Sequence, residues 1–261
     1  MLSDRLVAIK IVDRKTKPKL GKLAVPGSTQ EDKIKREIAI MKKCDHPHVV
    51  KLIEVLDDVK SRKIYLVLEY LEKGEIRWQE YDETIGDFKP VLKFHEAKKI
   101  FRDVVLGLEY LHYQGIIHRD IKPANLLVSA DDVVKISDFG VSFASSLDDN
   151  NFNNELELCK TAGTPAFLAP ELCQTENFTN FLENSKKITH KIDIWALGVT
   201  LFCLLFGKLP FNSDTEFGLF EAINNDSLKI PPKSSVPGYE SVSDNDFESA
   251  KDLLSKLLIK D

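Results

Sequence analysis

Within the stretch HRDIKPAN, residues His118 to Asn125, an acid, a lysine and a carboxamide fall inside six residues: Asp120, Lys122 and Asn125. Thirteen residues beyond Asn125 comes DFG, Asp138 to Gly140. Asn125 and Asp138 both present oxygen, the donor that hard Mg2+ ions on phosphates prefer. Asp120 is then free to accept the proton of a hydroxyl, and Lys122 to neutralise a phosphoryl group in transfer. Alone, a DFG is a common turn and an HRD an ion pair. Both in this order point to phosphoryl transfer.

A third charged position lies near the start, where MLSDRLVAIK ends an apolar stretch in Lys10. By period-two alternation Leu6, Ala8, Lys10 and Val12 share one face of a strand. A lysine among apolar neighbours needs a compensating charge. Glu37 has the same difficulty, because it shares a helix face with Ile34, Ile38 and Met41.

The elements that must position these residues change character along the chain. Residues 6–12 read as a strand, residues 15–30 as a loop, and Glu31 to Cys44 as a helix. VVKLIEVLDD and KIYLVLEYL read as two further strands. Glu96 to Tyr113 is a long amphipathic helix written by Ile100, Phe101, Val104, Val105, Leu108 and Leu111. NLLVSADDVVKIS is a hairpin turning at Asp131–Asp132, and an Asn-rich loop runs from Ser145 to Glu157. The remainder reads as helices between proline-containing loops. The expected architecture is α+β and bilobal. A small β-rich lobe (residues 1–71) meets a larger helical lobe (72–261), with a hinge near Glu69 to Gly74.

Bulk properties fit a soluble globular chain of 261 residues, 43% hydrophobic and 30% charged. The net charge of −5 argues against a nucleic-acid or anionic-membrane binder. The short cluster Lys15, Lys17, Lys19 and Lys22 reads as a solvated loop. Cys44, Cys159, Cys173 and Cys203 form no CxxC pair, so a reducing cytoplasm is expected, with nuclear access open. The longest uncharged apolar run, Ile194 to Gly207, falls short of the roughly 20 residues of a membrane span and reads as a buried helix. No signal peptide is recognisable at the start.

With VAIK around Lys10, APE at Ala169 to Glu171 and DIWALGV from Asp193, the sequence resembles a eukaryotic protein kinase almost throughout. The resemblance implies ATP and Mg2+ as cofactors, with Asn125 and Asp138 as metal ligands. It pairs Lys10 with Glu37, leaving Lys10 to hold the α- and β-phosphates. Leu68 becomes the gatekeeper, the backbone of Glu69 and Leu71 binds adenine, Glu75 meets the ribose, and Ala8 and Leu127 sandwich the base. Met41, Leu52, His118 and Phe139 match the family's hydrophobic spine. Asp193 accepts hydrogen bonds from the catalytic-loop backbone. DIKPAN and GTPAFLAPE resemble the serine/threonine branch, in which Thr164 faces Asp120 and Lys122.

More narrowly, EIAIMKKCDHPHVVKLIEVLDD and GLEYLHYQGIIHRDIKPANLLV resemble the calcium/calmodulin-dependent kinase kinases. They also resemble the fungal kinases that activate the AMP-activated-type kinase. That group's substrates are activation-loop threonines of other kinases, so the implied partner is another kinase. Residues 15–30 are short and lysine-containing, not Arg/Pro-rich, and GEIRW departs from the animal pattern; both favour the fungal side. Nothing in the chain resembles a calmodulin-binding helix. In many kinases a phosphothreonine pairs with the arginine at Arg119. Here Asp148, Asp149, Glu155 or Glu157 offers an acidic substitute that would give activity without phosphorylation, the alternative being a solvated acidic loop; strict dependence on phosphorylated Thr161 would exclude the substitute.

Two departures matter. None of the twelve glycines forms a G-x-G pair, so the glycine-rich loop over the phosphates and its two strands are not recognised, and the Lys10 strand is expected at a sheet edge. AKDLLSKLLIKD stops before the arginine that pairs with Glu171 in the family, so that carboxylate is expected to be buried and unpaired. Two functions follow: a serine/threonine kinase, or a kinase-like binding module without efficient transfer. A small-molecule kinase is a distant third, since those folds generally lack APE.

Overall fold

The computed structural model describes residues 6–14, 30–144, 162–173 and 188–260. The lysine cluster at 15–22, Asp148 to Glu157, Cys159 and Thr161 lie outside the described residues.

Alternation writes the first sheet. Strand β1 (Val7–Asp13) pairs with β3 (Lys63–Glu69), which pairs with β2 (Leu52–Leu56), all antiparallel in the order β1-β3-β2. Among the described residues β1 is therefore paired on one side only. Ala8, Lys10 and Val12 turn to one half-buried face, while Val7, Ile9 and Ile11 are exposed on the other. Leu6, expected with the inward set, is 70% exposed because it precedes the first ladder pair.

Helix α1 (Gln30–Lys43) closes the inner face, with acids in its first turn and lysines in its last to complement the helix dipole. Ile34, Ile64 and Leu66 form a small sealed core, rimmed by Val12, Ile38, Leu52, Val55 and Leu68. Ile38 is only half-buried. Ile40 goes further in, because α1 also leans on the larger core through Ile40 and Met41.

The larger lobe is built on helix packing. Helix α2 (Phe94–Tyr113) starts where the Lys93 amide donates to the Glu96 carboxylate at 2.7 Å and the Glu96 amide donates to the Lys93 carbonyl at 3.0 Å. It buries Ala97, Val104, Leu108 and Leu111. Helix α3 (Lys191–Phe206) contains the long apolar run and is buried along nearly its whole length, as its all-round apolarity requires. It ends at Gly207 in the left-handed region, φ 65°, where a Cβ would stand 2.3 Å from the Lys89 and Pro90 backbone. Helices α4 (Glu216–Asn225) and α5 (Asp244–Leu257) are capped by Thr215 and Ser243 hydroxyls.

Short strand pairs decorate this lobe. The expected hairpin is β8 (Leu126–Val128) with β9 (Val134–Ile136), turning at Asp132 with φ 62°, and β4 (Gly74–Glu75) joins β8. Strands β7 (Ile116–Ile117) and β10 (Phe143–Ala144) also pair. One further hairpin, β5 (Gln79–Asp82) with β6 (Asp87–Pro90), was not expected. It carries little apolar alternation and is held by the edge-on Tyr81–Phe88 pair and by contacts with α3. Among the described residues no helix is long and apolar enough to cross a membrane.

Candidate active site

Strands β7 and β10 bracket a loop whose backbone hangs on one carboxylate. Asp193, fully buried in the first turn of α3, accepts the His118 amide at 2.8 Å and the Arg119 amide at 2.7 Å. It also meets His112 Nε2 at 2.9 Å. With the amides fixed, Arg119 takes a left-handed backbone, φ 69°, and Pro123 opens a single 3₁₀ turn over Pro123–Asn125. The turn folds Asn125 back over Asp120.

Both carboxylate oxygens of Asp120 then accept two hydrogen bonds each. Oδ1 accepts from the Thr164 amide at 3.0 Å and the Thr164 hydroxyl at 2.9 Å. Oδ2 accepts from Lys122 Nζ at 2.7 Å and Asn125 Nδ2 at 2.8 Å. Lys122 Nζ also donates to Thr164 Oγ at 2.6 Å. Asp120, Lys122 and Thr164 thus form one hydrogen-bonded group, as their motifs imply. Gly163 makes this approach feasible: with φ 105°, any Cβ would lie 2.5 Å from the Arg119 carbonyl oxygen.

His118 braces the loop from behind. The Asp120 amide donates to Nδ1 at 3.3 Å, so Nε2 carries the proton and donates to the Ser137 carbonyl at 3.0 Å. Complete burial holds its pKa below the usual histidine value and keeps the ring neutral. Phe139 packs edge-on against it, and Met41 and Leu52 belong to the same apolar cluster. All four spine residues therefore lie in one packed region. Ser137, which the motif reading passed over, donates its amide and its hydroxyl to the Asn125 carbonyl, each at 2.9 Å. Its position just before DFG was the available signal.

The second charged group joins the lobes. Lys10 Nζ lies 2.7 Å from Glu37 Oε1 and 2.8 Å from Asp138 Oδ1. Burial would lower the Lys10 pKa, but the two carboxylates outweigh it and hold the ammonium above its usual value. Burial pushes Asp138 upward, yet its bonds from Lys10 and the Gly140 amide leave it below the usual carboxylate range. Asp138 has φ 62°, a backbone that asparagine and aspartate tolerate better than most residues.

On the adenine side, Ala8 and Leu68 are opposed in the β1–β3 ladder, and Glu75 and Leu127 in the β4–β8 ladder. Leu71 is buried, and Glu69 is half-buried at the end of β3. Two expectations need correction or limits. Glu171 is half-buried and takes part in an interaction, so it is not the unpaired buried carboxylate anticipated from the chain's end. The acidic residues proposed to reach Arg119, and Thr161, lie outside the described residues. Arg119 itself is buried and engaged.

The donor set fits Mg2+ on phosphates. Asn125 turns its amide nitrogen to the carbonyl and Oδ2 of Asp120, which leaves its amide oxygen available. Asp138 engages Lys10 and Gly140 through Oδ1, leaving Oδ2. Among the described residues no cluster of three or more His, Cys, Asp or Glu could cage a metal. Two hard oxygens without a cage suit an ion that fills its shell with phosphate and water.

Comparisons with known proteins agree with this geometry. The family profile described as "Protein kinase domain" matches residues 2–261. The chain is 57% identical to SNF1-activating kinase 1 of Saccharomyces cerevisiae, covering 100% of this chain and 24% of that protein. It is 53% identical to serine/threonine-protein kinase ssp1 of Schizosaccharomyces pombe, over 98% of this chain and 36% of the relative. Against a calcium/calmodulin-dependent protein kinase kinase of Caenorhabditis elegans the identity is 43%, over 76% and 33% respectively. The chain thus spans well under half the length of each of these three relatives.

Proposed function

The chain belongs to the protein kinase family, and we propose that it transfers the γ-phosphoryl group of ATP to serine and threonine hydroxyls. Its favoured substrates are threonines in the activation loops of other kinases, consistent with the fungal SNF1-activating kinase among its relatives. The carrying observation is the bonded group Asp120–Lys122–Thr164, with Lys10 bridging Glu37 and Asp138.

In this reading Lys10, held by Glu37, binds the α- and β-phosphates of ATP. Ala8, Leu68 and Leu127 enclose the base, the backbone of Glu69 and Leu71 bonds its edge, and Glu75 meets the ribose. The acceptor hydroxyl takes over the place on Asp120 that Thr164 partly fills. Its oxygen attacks the γ-phosphorus as the bond to the β-γ bridging oxygen breaks, and Asp120 accepts the released proton. Lys122 offsets the charge on the transferring group, and Thr164 orients its ammonium. Asn125 and Asp138 would hold magnesium, which when bound supplies charge neutralisation between the phosphates. The cytoplasm is the proposed location.

The test is a peptide copied from a kinase activation loop, incubated with the chain and Mg-ATP, with the modified residue mapped by mass spectrometry. Phosphate is expected on threonine and absent from the threonine-to-alanine peptide. Phosphate on tyrosine alone, or release of inorganic phosphate without peptide modification, would overturn the proposal.

A further inference from the structure

Strand β9 carries a lysine with no role in the site described above. Val134 and Ile136 point into the core, 1% and 0% exposed, so period-two geometry sends Lys135 to the opposite face. There its ammonium lies 2.9 and 2.8 Å from the two carboxylate oxygens of Glu69, the last residue of β3. The pair is largely withdrawn from solvent, with side-chain exposures of 17% and 11%. Glu69 is further fixed: Oε1 accepts the Lys51 amide at 2.7 Å, and its own amide donates to the Lys51 carbonyl at 3.0 Å.

This contact links the two lobes at a sensitive place. Leu68, beside the base in the proposed function, immediately precedes Glu69, and Asp138 follows Lys135 by three residues. Beyond Glu69 the connecting segment is tied to the same hairpin by Glu72 accepting the Ala130 amide and by the Lys73–Asp132 pair. From the other side the Val50 amide donates to the Ile136 carbonyl, and the Ile136 amide to the His48 carbonyl, each at 2.9 Å. Strand β9 is therefore gripped by the small lobe on two sides, and Lys135–Glu69 is the grip on the nucleotide side. A weakly screened ion pair resists separation more than the exposed pairs around it.

We propose that Lys135 and Glu69 form an interlobe clamp, a positioning pair that limits opening of the nucleotide cleft and so slows the departure of ADP. It rests on the kinase reading for the identity of the nucleotide. It concerns the Glu69 side chain, whereas base recognition uses that residue's backbone.

The test is stopped-flow release of mant-labelled ADP from the 261-residue chain in magnesium buffer. Lys135→Met and Glu69→Gln are each expected to speed release by about tenfold, the coupling of a contacting pair in this setting. The charge exchange Glu69→Lys with Lys135→Glu is expected to return it to within about threefold of the parent, and Lys135→Arg to stay near it. Steady-state assays should show the KM for ATP rising while kcat stays unchanged or rises.

Unchanged release in both single variants, or a charge exchange no slower than the singles, overturns the clamp. Should Lys135→Met not fold, Lys135→Arg and the exchange still decide. A chain that binds and releases ADP as expected but transfers no phosphate defeats the kinase reading and leaves the clamp. Normal transfer with release unaffected by the variants defeats the clamp alone. A parent chain that does not bind mant-ADP overturns both.

Discussion

Two lysines of the candidate site are held in opposite ways. Lys122 finds Asp120 two residues away and Thr164 forty-two residues on, all within the helical lobe, and buried Asp193 holds the Arg119 amide just before Asp120. Lys10 finds Glu37 on α1 and Asp138 beyond β9, 27 and 128 residues away in sequence. The first group is preorganised by one lobe. The second exists only while the small sheet, α1 and the β8–β9 hairpin of the larger lobe sit together, so it is where interlobe motion would register.

That contrast can be broken most severely at Lys122. In Lys122→Met, phosphate transfer should fall by about 10²–10³, as when a donor aimed at developing charge is lost. The melting midpoint should move little, since Asp120 keeps Asn125 and Thr164. Lys10→Met should lose transfer and stability together, because Glu37 is 5% exposed and is left without its cation. Chemical denaturation should show a loss of about 1 kcal/mol, below the figure for a fully buried pair because the Lys10 side chain is 35% exposed. Adding Glu37→Leu should recover most of that stability but none of the transfer. If the double variant regains transfer, Lys10 is structural only.

Thr164 tests the one-lobe group more gently. Thr164→Val removes a donor to Asp120 and an acceptor from Lys122, and transfer should drop about tenfold. Thr164→Ser should retain most of it.

The smallest effect is in pH. His118 is neutral when folded, with its pKa held below that of the unfolded chain, so the unfolded state binds the extra proton first. Stability is therefore full above about pH 6.5 and declines as pH falls below it, at up to about 1.4 kcal/mol per unit. Thermal melts between pH 7.5 and 5.5 should show this slope, and His118→Phe should flatten it.

The one-lobe group was legible in sequence because its members lie in short motifs whose spacing is their geometry. Lys10 and Glu37 were legible for a different reason: each is a charge on an apolar face, and each face follows from a period. Lys135 obeys the same alternation between Val134 and Ile136, but nothing local names Glu69 as its partner. The β5–β6 hairpin was missed because Gln79–Asp82 and Asp87–Pro90 carry too few apolar residues to register as strands. Ile40 displaced Ile38 from the inner face because α1 serves two cores, which a single helical period does not express. Glu171 was misjudged by treating a family contact as its sole source of partners.

The most direct measurement is phosphate transfer from Mg-ATP to an activation-loop threonine peptide by the chain and by its Asp120→Asn form, compared side by side. The variant keeps the shape of the carboxylate but not its basicity. Transfer by the parent, reduced by about 10²–10⁴ in the variant, is the predicted result. Equal transfer by both, or none from a parent chain that binds nucleotide, would contradict the assignment of Asp120 as the base of a working kinase.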